Sequence, residues 1–297
     1  MTSRLARKRP TLVSSTYTTG TVTSHDGTTI GYRRLGEGPG IIAVHGGLQA
    51  GQNFMKLGAA LADEFTVYLP DRRGRGMSGP PGDRYSLTAE CEDIDALLRE
   101  TGTHNVFGLS SGAIVALQAA LTVPAIHKVA LYEPPLSIHD STPMGWVTRY
   151  DQEVARGDLA SAMITVIEGT QSAPSFLRFL PRSVLACLLG HVINKEPSRL
   201  GSDDVPLKVL IPTMHFDAQL VMESRDTLDS FRAMPAEVLL LGGSKSPPYL
   251  KRALDDLSSV LPNTRRVDFL GVGHLAADNS GKPERVAQEL RRFFQPS

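Results

Sequence analysis

The chain has 297 residues, with 31 lysines and arginines balanced by 31 aspartates and glutamates, and 41% of its residues are hydrophobic. That composition is typical of a globular protein and excludes a largely disordered chain or a small disulfide-stapled scaffold. The formal net charge of +0 at pH 7 gives no long-range field to gather nucleic acid or an anionic membrane, so neither is expected as a partner.

Strand and helix patterns alternate along the first half of the chain. After a tail predicted to be flexible (1–18), two β-rich runs flank an Asp26-Gly27 turn and predict a hairpin. Short apolar runs predict further strands at 40–45, 65–70, 105–109 and 127–132, and helical spacing predicts helices at 52–63, 86–101 and 111–123. This order predicts a mostly parallel sheet with helices on both faces.

The pattern changes in the second half. Between residues 136 and 235 no convincing strand occurs, and the segment predicts an inserted helical cap. Strand and helix signals then resume at 237–241, 249–261, 265–270 and 283–294. We therefore expect one α/β core, formed by 19–135 and 236–297 and interrupted by the cap at 136–235.

Cysteine usage and apolar runs bear on the compartment. Cys91 and Cys187 lie far apart, without C-x-x-C or zinc-ligand spacing, so reduced thiols are expected rather than a disulfide framework or a metal site. The basic start of the chain has no apolar signal-peptide core behind it, and no run of about 18 apolar residues occurs. The sequence predicts a cytoplasmic protein without a membrane span and leaves the oligomeric state open, a homodimer included.

One short motif carries a chemical prediction. Gly108-Leu109-Ser110-Ser111-Gly112 matches G-x-S-x-G and lies where a predicted strand turns into a predicted helix. Such a sharp turn holds its central serine exposed in a strained conformation, as a nucleophile requires. An ordinary strand-to-helix turn is the alternative, but the setting favours Ser110 as a nucleophile.

Three other motifs follow predicted strands, in an order that belongs to a known family. They are His45-Gly46-Gly47, the run from Asp71 to Gly79 (DRRGRGMSG), and Gly271-Val272-Gly273-His274. With the G-x-S-x-G turn they resemble the landmarks of the α/β-hydrolase fold over nearly the whole chain. The resemblance implies a capped serine hydrolase, with the oxyanion loop after the third strand and the catalytic histidine in the last motif.

The roles follow from acyl-transfer chemistry. Ser110 needs a base to remove its proton, and His274 is the best placed of the eight histidines. An oxyanion needs two fixed N–H donors. Ser111, at the start of a helix, supplies one, and Gly47 is expected to supply the other, with Leu48 as an alternative.

The acid departs from the usual pattern of the family. Residues 242–248, after the strand where most relatives carry a carboxylate, contain no aspartate or glutamate. Glu133 ends the preceding core strand, where some family members, notably certain haloalkane dehalogenases, carry their acid, and we assign the role to it. Alternatives are a structural Glu133, a Ser–His dyad without an acid, or one of three other carboxylates, Asp203, Asp217 and Asp268.

The cap bears on the substrate. Its densest apolar stretch, which includes Phe176, Leu177 and Phe179 and runs to Ile193, predicts an apolar pocket, although helix packing accounts for much of it. Trp146 is assigned to the core or to ligand contact with equal weight. The reaction predicted is cleavage of an ester or thioester of a largely apolar small molecule through an acyl-enzyme on Ser110, without cofactor or metal.

Several other activities fit the same machinery. A carbon–carbon bond hydrolase and a cofactor-free haloperoxidase are close variants of the predicted hydrolase. A non-hydrolytic lyase or cyclase of specialised metabolism, and a ligand-binding protein with a degenerate triad, are alternatives from other classes.

Overall fold

The computed structural model describes residues 16–172 and 180–295, and within them eight strands form one sheet. The strands are β1 (Thr18–Thr23), β2 (Thr29–Leu35), β3 (Gly40–Val44), β4 (Thr66–Pro70), β5 (Asn105–Leu109), β6 (Lys128–Tyr132), β7 (Glu237–Gly243) and β8 (Thr264–Phe269). Their order across the sheet is β1-β2-β4-β3-β5-β6-β7-β8. β2 is antiparallel to β1 and β4, and the other neighbouring pairs are parallel.

The helices connect and cover these strands. They are α1 (Met55–Leu61), α2 (Leu87–Thr101), α3 (Ser111–Thr122), α4 (Val147–Ala155), α5 (Leu159–Gly169), α6 (Arg182–Lys195), α7 (Leu207–Leu210), α8 (Met214–Glu223), α9 (Pro248–Val260) and α10 (Pro283–Phe294). Short 3₁₀ segments occupy Gly51–Phe54, Glu196–Arg199, Ile211–Thr213 and Leu228–Ala233. No helix among the described residues is long and apolar enough to cross a membrane.

The core has two apolar layers, one on each face of the sheet. Ile42 and Val44 of β3 pack with α2, α3 and α9, while Ile41 and Ala43 of the same strand pack with α1 and α10. Successive side chains of a strand point to opposite faces, so a strand that is buried on both sides is apolar throughout. The predicted fold class is therefore confirmed, and the short apolar runs of the sequence are strands of a sheet covered on both faces.

Element boundaries agree closely with the sequence patterns, with three differences. β7 continues to Gly243, two residues beyond its apolar run, because Gly242 and Gly243 still pair with β8. The helix predicted at 52–63 starts as a 3₁₀ turn, in which the Asn53 side chain accepts a hydrogen bond from Ala50 N–H at 3.1 Å. Residues 1–15 of the predicted tail lie outside the described residues, and Thr18 already pairs with Arg34.

Residues 136–235, here called the insertion, join β6 to β7 and contain helices α4–α8. Its described residues contain no strand. A small apolar cluster around Trp146, Tyr150 and Val166 packs these helices together and includes Leu48 of the β3–α1 loop at its edge. Phe176, Leu177 and Phe179, part of the predicted apolar stretch, lie outside the described residues.

Candidate active site

Ser110 stands at the turn between β5 and α3 with φ 57° and ψ −125°. A non-glycine residue adopts this conformation only at a cost, so the flanking structure must hold it there. Gly108 and Gly112 make that possible, since an added Cβ would lie 2.4 Å from Gly112 O and 2.3 Å from His45 O respectively. Ser110 N–H donates to Tyr132 O at 2.9 Å, which fixes the turn against β6.

Glu133 and His274 form a hydrogen-bonded pair. Glu133 directly follows β6, and His274 lies in the loop after β8, with Nδ1 at 2.7 Å from Glu133 Oε2. The second carboxylate oxygen accepts from Gly243 N–H at 2.6 Å. Glu133 is fully buried, while the His274 side chain is 16% exposed. This contact fixes Nδ1 of the imidazole and leaves Nε2 to face another group.

Gly243, which ends β7, leaves room for this arrangement. A Cβ at Gly243 would lie 2.6 Å from Val272 O and 3.0 Å from Gly273 O, both in the loop that carries His274. The loop that carries His274 is held from the other side as well, because Tyr132 Oη donates to Gly273 O at 2.9 Å. The end of β7 therefore carries no carboxylate, and its backbone N–H at Gly243 donates a hydrogen bond to Glu133 instead.

Ser110 and His274 line one cavity of about 270 Å³. Apolar side chains of the insertion form much of its wall, namely Met144, Trp146, Met163, Val166, Ile167, Leu207, Met214 and Val221. The described part of the stretch at 180–193 contributes nothing to the wall, and Leu188 and Val192 of α6 are exposed instead. Trp146 belongs both to the insertion's apolar cluster and to the cavity wall. A larger groove adjoins the cavity and shares Ser172, His274 and Leu275 with it.

The hydroxyl of Ser110 has no hydrogen-bond partner within residues 16–172 and 180–295, so none joins it to His274. Hydrogen bonds between catalytic groups are often long in a ligand-free site and tighten when substrate binds. The structure therefore brings the predicted nucleophile and base to one cavity without a hydrogen bond between them.

The loop after β3 presents free backbone amides beside Ser110. Gly46 N–H donates to Gln49 Oε1 at 2.9 Å, and Gln49 Nε2 donates to Asp278 Oδ2 at 2.8 Å, which anchors the loop. The N–H groups of Gly47, Leu48 and Ser111 have no acceptor in the described part of the chain. Gly47 and Leu48 both remain candidates for the second oxyanion donor, and Leu48 has a left-handed φ of 60°.

A buried ion cluster lies against the same loop. Asp217 of α8 accepts from Arg72 Nη1 at 2.7 Å, from Arg75 Nη2 at 2.6 Å and from Ser111 Oγ at 2.7 Å. Glu90 of α2 accepts twice from Arg72, at 2.7 and 2.9 Å. Burial opposes ionisation of Asp217, but the charges of Arg75 and Arg72 outweigh it and lower the pKa of this carboxyl.

The other predicted acids do not contact His274. Asp217 is bound to the two arginines, Asp203 accepts from Tyr17 Oη at 3.0 Å, and Asp268 pairs with Arg266 at 3.0 Å. His45 is fully buried, with Nδ1 at 2.9 Å from Gly46 O and Nε2 at 3.1 Å from Arg72 N. Burial first, and then the charge of Arg75, lowers the pKa of His45 well below 6.5, so this ring is neutral.

Sequence reasoning missed three contributors to the site: the Gln49–Asp278 contact, the Tyr132 hydroxyl and the place of Asp217 beside Ser111. The DRRGRG run signals buried arginines, but nothing in the sequence links them to a carboxylate more than 140 residues away. These partners come together only through the packing of the insertion and the last loop on the sheet.

Comparisons with known proteins show what the chain as a whole is similar to. A solved α/β hydrolase from Sphaerobacter thermophilus DSM 20745 is 28% identical, with a TM-score of 0.74 over 93% of this chain and 100% of that one. A thermophilic esterase from Thermogutta terrifontis, at 21% identity, has a TM-score of 0.67 over 93% of this chain and 97% of that one and shows the fold alone.

Curated relatives add two further similarities. An uncharacterized hydrolase of Bacillus subtilis, YraK, is 33% identical over 115 residues, which are 37% of this chain and 42% of that protein. A cis-3-alkyl-4-alkyloxetan-2-one decarboxylase of Shewanella oneidensis is 23% identical over 91% of this chain and 86% of its own length. The sequence model described as the alpha/beta hydrolase family matches residues 41–289. The chain is therefore a member of the alpha/beta hydrolase family.

Proposed function

We propose that this alpha/beta hydrolase is a serine hydrolase that cleaves an ester or thioester of a largely apolar small molecule through an acyl-enzyme on Ser110. The observation that carries the proposal is the contact of His274 Nδ1 with Glu133 Oε2 at 2.7 Å, in the cavity that also holds Ser110. A carboxylate in this place sets the tautomer in which Nε2 can accept a proton from serine.

The steps follow from the positions of these groups. His274 Nε2 takes the proton of Ser110 as Oγ attacks the carbonyl carbon, and Glu133 stabilises the imidazolium that forms. The amides of Ser111 and of Gly47 or Leu48 hold the developing oxyanion. His274 then protonates the leaving group, and a water activated by the same imidazole hydrolyses the acyl-enzyme.

The apolar cavity wall supports the proposal of an apolar substrate part, which the insertion would cover as a cap. Trp146, Met163, Val166 and Met214 can bury an acyl or alkyl chain, whose removal from water favours binding by about 25 cal/mol per Å². The adjoining groove at His274 gives the other part of the substrate a way to solvent. Cys91 and Cys187 are both free thiols, which fits the cytoplasm as the proposed compartment.

A lyase is the second candidate, because the Shewanella relative that matches over 91% of this chain is a decarboxylase. Its substrate class, a dialkyl oxetanone, is itself a cyclic ester with apolar arms. That relative favours an apolar substrate for both the hydrolase and the lyase. The two reactions differ in whether an acyl-enzyme forms and is hydrolysed by water.

The experiment that tests the proposal is intact-mass analysis after exposure to a small fluorophosphonate, combined with turnover of p-nitrophenyl esters of rising chain length. The wild type should gain one adduct and hydrolyse the esters, whereas Ser110→Ala should do neither. Ser172→Ala is the matched control for the probe, since it removes another serine hydroxyl at the same cavity and should still gain the adduct. A folded wild type that neither reacts nor turns over any ester would contradict the proposal, and decarboxylation of a dialkyl oxetanone without acyl-enzyme formation would favour the lyase.

A further inference from the structure

One residue of the insertion, Asp217, lies next to both residues proposed as oxyanion donors, Ser111 and Gly47. Asp217 is 1% exposed, and its Oδ1 accepts from Ser111 Oγ at 2.7 Å, at the first residue of α3. The same carboxylate packs on the β3–α1 loop, where a Cβ added at Gly47 would lie 3.2 Å from Asp217 Cγ and 2.8 Å from Met214 Sδ. One side chain of α8 thus lies against both residues assigned as donors.

The position of Asp217 is itself fixed from two sides. Arg72 and Arg75 reach it from the turn after β4, at 2.7 and 2.6 Å, and each donates to a different carboxylate oxygen. Arg72 also donates to Ser111 Oγ at 3.2 Å. With both oxygens bound, the carboxylate has little freedom to rotate, and it can hold the start of α3 in one place.

We propose that Asp217 is a positioning residue for the oxyanion hole, which makes docking of the insertion helix α8 a condition for aligned Gly47 and Ser111 amides. This inference rests on the proposed serine-hydrolase function. A bare anion beside an oxyanion hole would repel the charge that develops there, but two guanidinium groups neutralise Asp217, and Glu90 balances the remaining positive charge. The cluster therefore supplies geometry to the site without adding net charge.

A matched pair of variants separates positioning from stability. Asp217→Asn removes the charge that holds Ser111 Oγ, whereas Glu90→Gln removes the other buried partner of Arg72 without touching Ser111 or Gly47. Both substitutions leave a buried guanidinium short of a counter-ion, and both should lower the melting temperature. Only Asp217→Asn should lower kcat, by about 10- to 100-fold, because misplaced donors lose part of the 10²- to 10³-fold that one oxyanion donor supplies.

The readout specific to the oxyanion uses two inhibitors of one shape. A trifluoromethyl ketone adds to Ser110 and places an oxyanion in the hole, while the matching methyl ketone binds as an unreacted carbonyl. For Asp217→Asn, inhibition by the trifluoromethyl ketone should weaken by the same factor as kcat/KM, and binding of the methyl ketone should change less than about threefold. Glu90→Gln should shift neither inhibitor beyond that.

Ser111→Ala tests the same contact from the other side. It keeps the Ser111 N–H and all ion pairs of Asp217, so it tests the inference even when Asp217→Asn does not fold. Loss of trifluoromethyl ketone affinity with unchanged methyl ketone binding would support the inference. A double variant that combines Asp217→Asn with Ser111→Ala and has the same kcat as Asp217→Asn alone would support it as well. Equal weakening of both ketones, or kcat values of Asp217→Asn and Ser111→Ala equal to that of Glu90→Gln, would overturn it. A wild type without turnover or fluorophosphonate adduct would instead overturn the proposed function and the inference with it.

Discussion

Two buried carboxylates lie in two regions of the site and differ in what neutralises them. Glu133, after β6, contacts an imidazole and a backbone amide, and among the described residues no lysine or arginine pairs with it. Asp217, on α8, is bound by two arginines and a hydroxyl. In the proposed mechanism Glu133 gains a positive partner when His274 takes a proton, whereas Asp217 already has its positive partners in the resting protein.

That difference separates a group that responds to the reaction from one that fixes geometry. An imidazolium formed beside Glu133 is stabilised only while it exists, so the contact favours the transition state over the ground state. The two arginines that bind Asp217 stabilise its charge equally in the ground state and in the transition state. Substitutions in the two regions should therefore have effects of different size and kind.

Glu133→Gln should have the largest effect. The amide keeps the size of the side chain but cannot stabilise the imidazolium and can hold the wrong tautomer, so kcat should fall by about 10³- to 10⁴-fold. Steady-state turnover of the best ester measures it. Asp268→Asn, which removes an exposed carboxylate paired with Arg266, is the control and should stay near wild type. A loss below tenfold would contradict the assignment and favour a Ser–His dyad.

Gly243→Ala tests the backbone that lets Glu133 reach His274. The new Cβ would lie 2.6 Å from Val272 O and 3.0 Å from Ser246 Oγ, so the loop carrying His274 must move. A displacement of about 1 Å at a catalytic group costs roughly 10²-fold in rate, which kcat/KM should show. Gly273→Ala is the matched control, because among the described residues its Cβ would meet only Lys245 Cβ, at 4.0 Å. Equal activity of both variants would disprove the steric argument.

His45→Gln tests the region of Arg72 and Arg75 through the pH dependence of the free energy of unfolding. The folded protein keeps His45 neutral, while the unfolded chain protonates it below about pH 6.5, so the unfolded state binds more protons and stability falls as pH drops. The limiting slope is about 1.4 kcal/mol per pH unit. Urea unfolding between pH 7 and pH 5 should therefore show a shallower loss in His45→Gln than in wild type. An unchanged slope in His45→Gln would show that His45 is not kept neutral in the folded protein.

The sequence is informative about the site wherever its signal is local. The G-x-S-x-G motif that indicates the strand-to-helix turn lies within five residues, and the structure has that turn at Ser110. Glu133 could be singled out because the run after β7 lacks any carboxylate and because the resemblance to the family implies that the acid can stand at the end of the preceding core strand, β6. The catalytic roles of Ser110, Glu133 and His274 stay predictions that the variants above test.

The long-range partners could not be predicted, for a physical reason. Asp217 and Arg72 are 145 residues apart, and Gln49 and Asp278 are 229 apart, so their contacts depend on how finished elements pack rather than on local propensity. The same holds for the cavity wall, where Met163 and Val166 of α5 face the site while Leu188 of α6 faces solvent. All three are apolar helix residues in one insertion, and their spacing along the chain does not tell which side of each helix the core will cover.

Tyr132→Phe should have the smallest effect, and it tests how firmly the region of Glu133 is held. Tyr132 Oη donates to Gly273 O at 2.9 Å, next to His274, so its loss should let the loop move without removing any reacting group. One neutral hydrogen bond contributes about 1 kcal/mol, so the free energy of unfolding should fall by that amount and kcat by a few-fold. Thermal unfolding and ester turnover measure both quantities. Tyr150→Phe, which removes a hydroxyl bonded to Ile211 O at 2.6 Å in the insertion, should cost similar stability and leave kcat near wild type. If both variants keep wild-type kcat, the Tyr132 hydroxyl is not needed to hold His274, and the other contacts of the loop, with Glu133, Lys245 N–H and Ser244 Oγ, are sufficient.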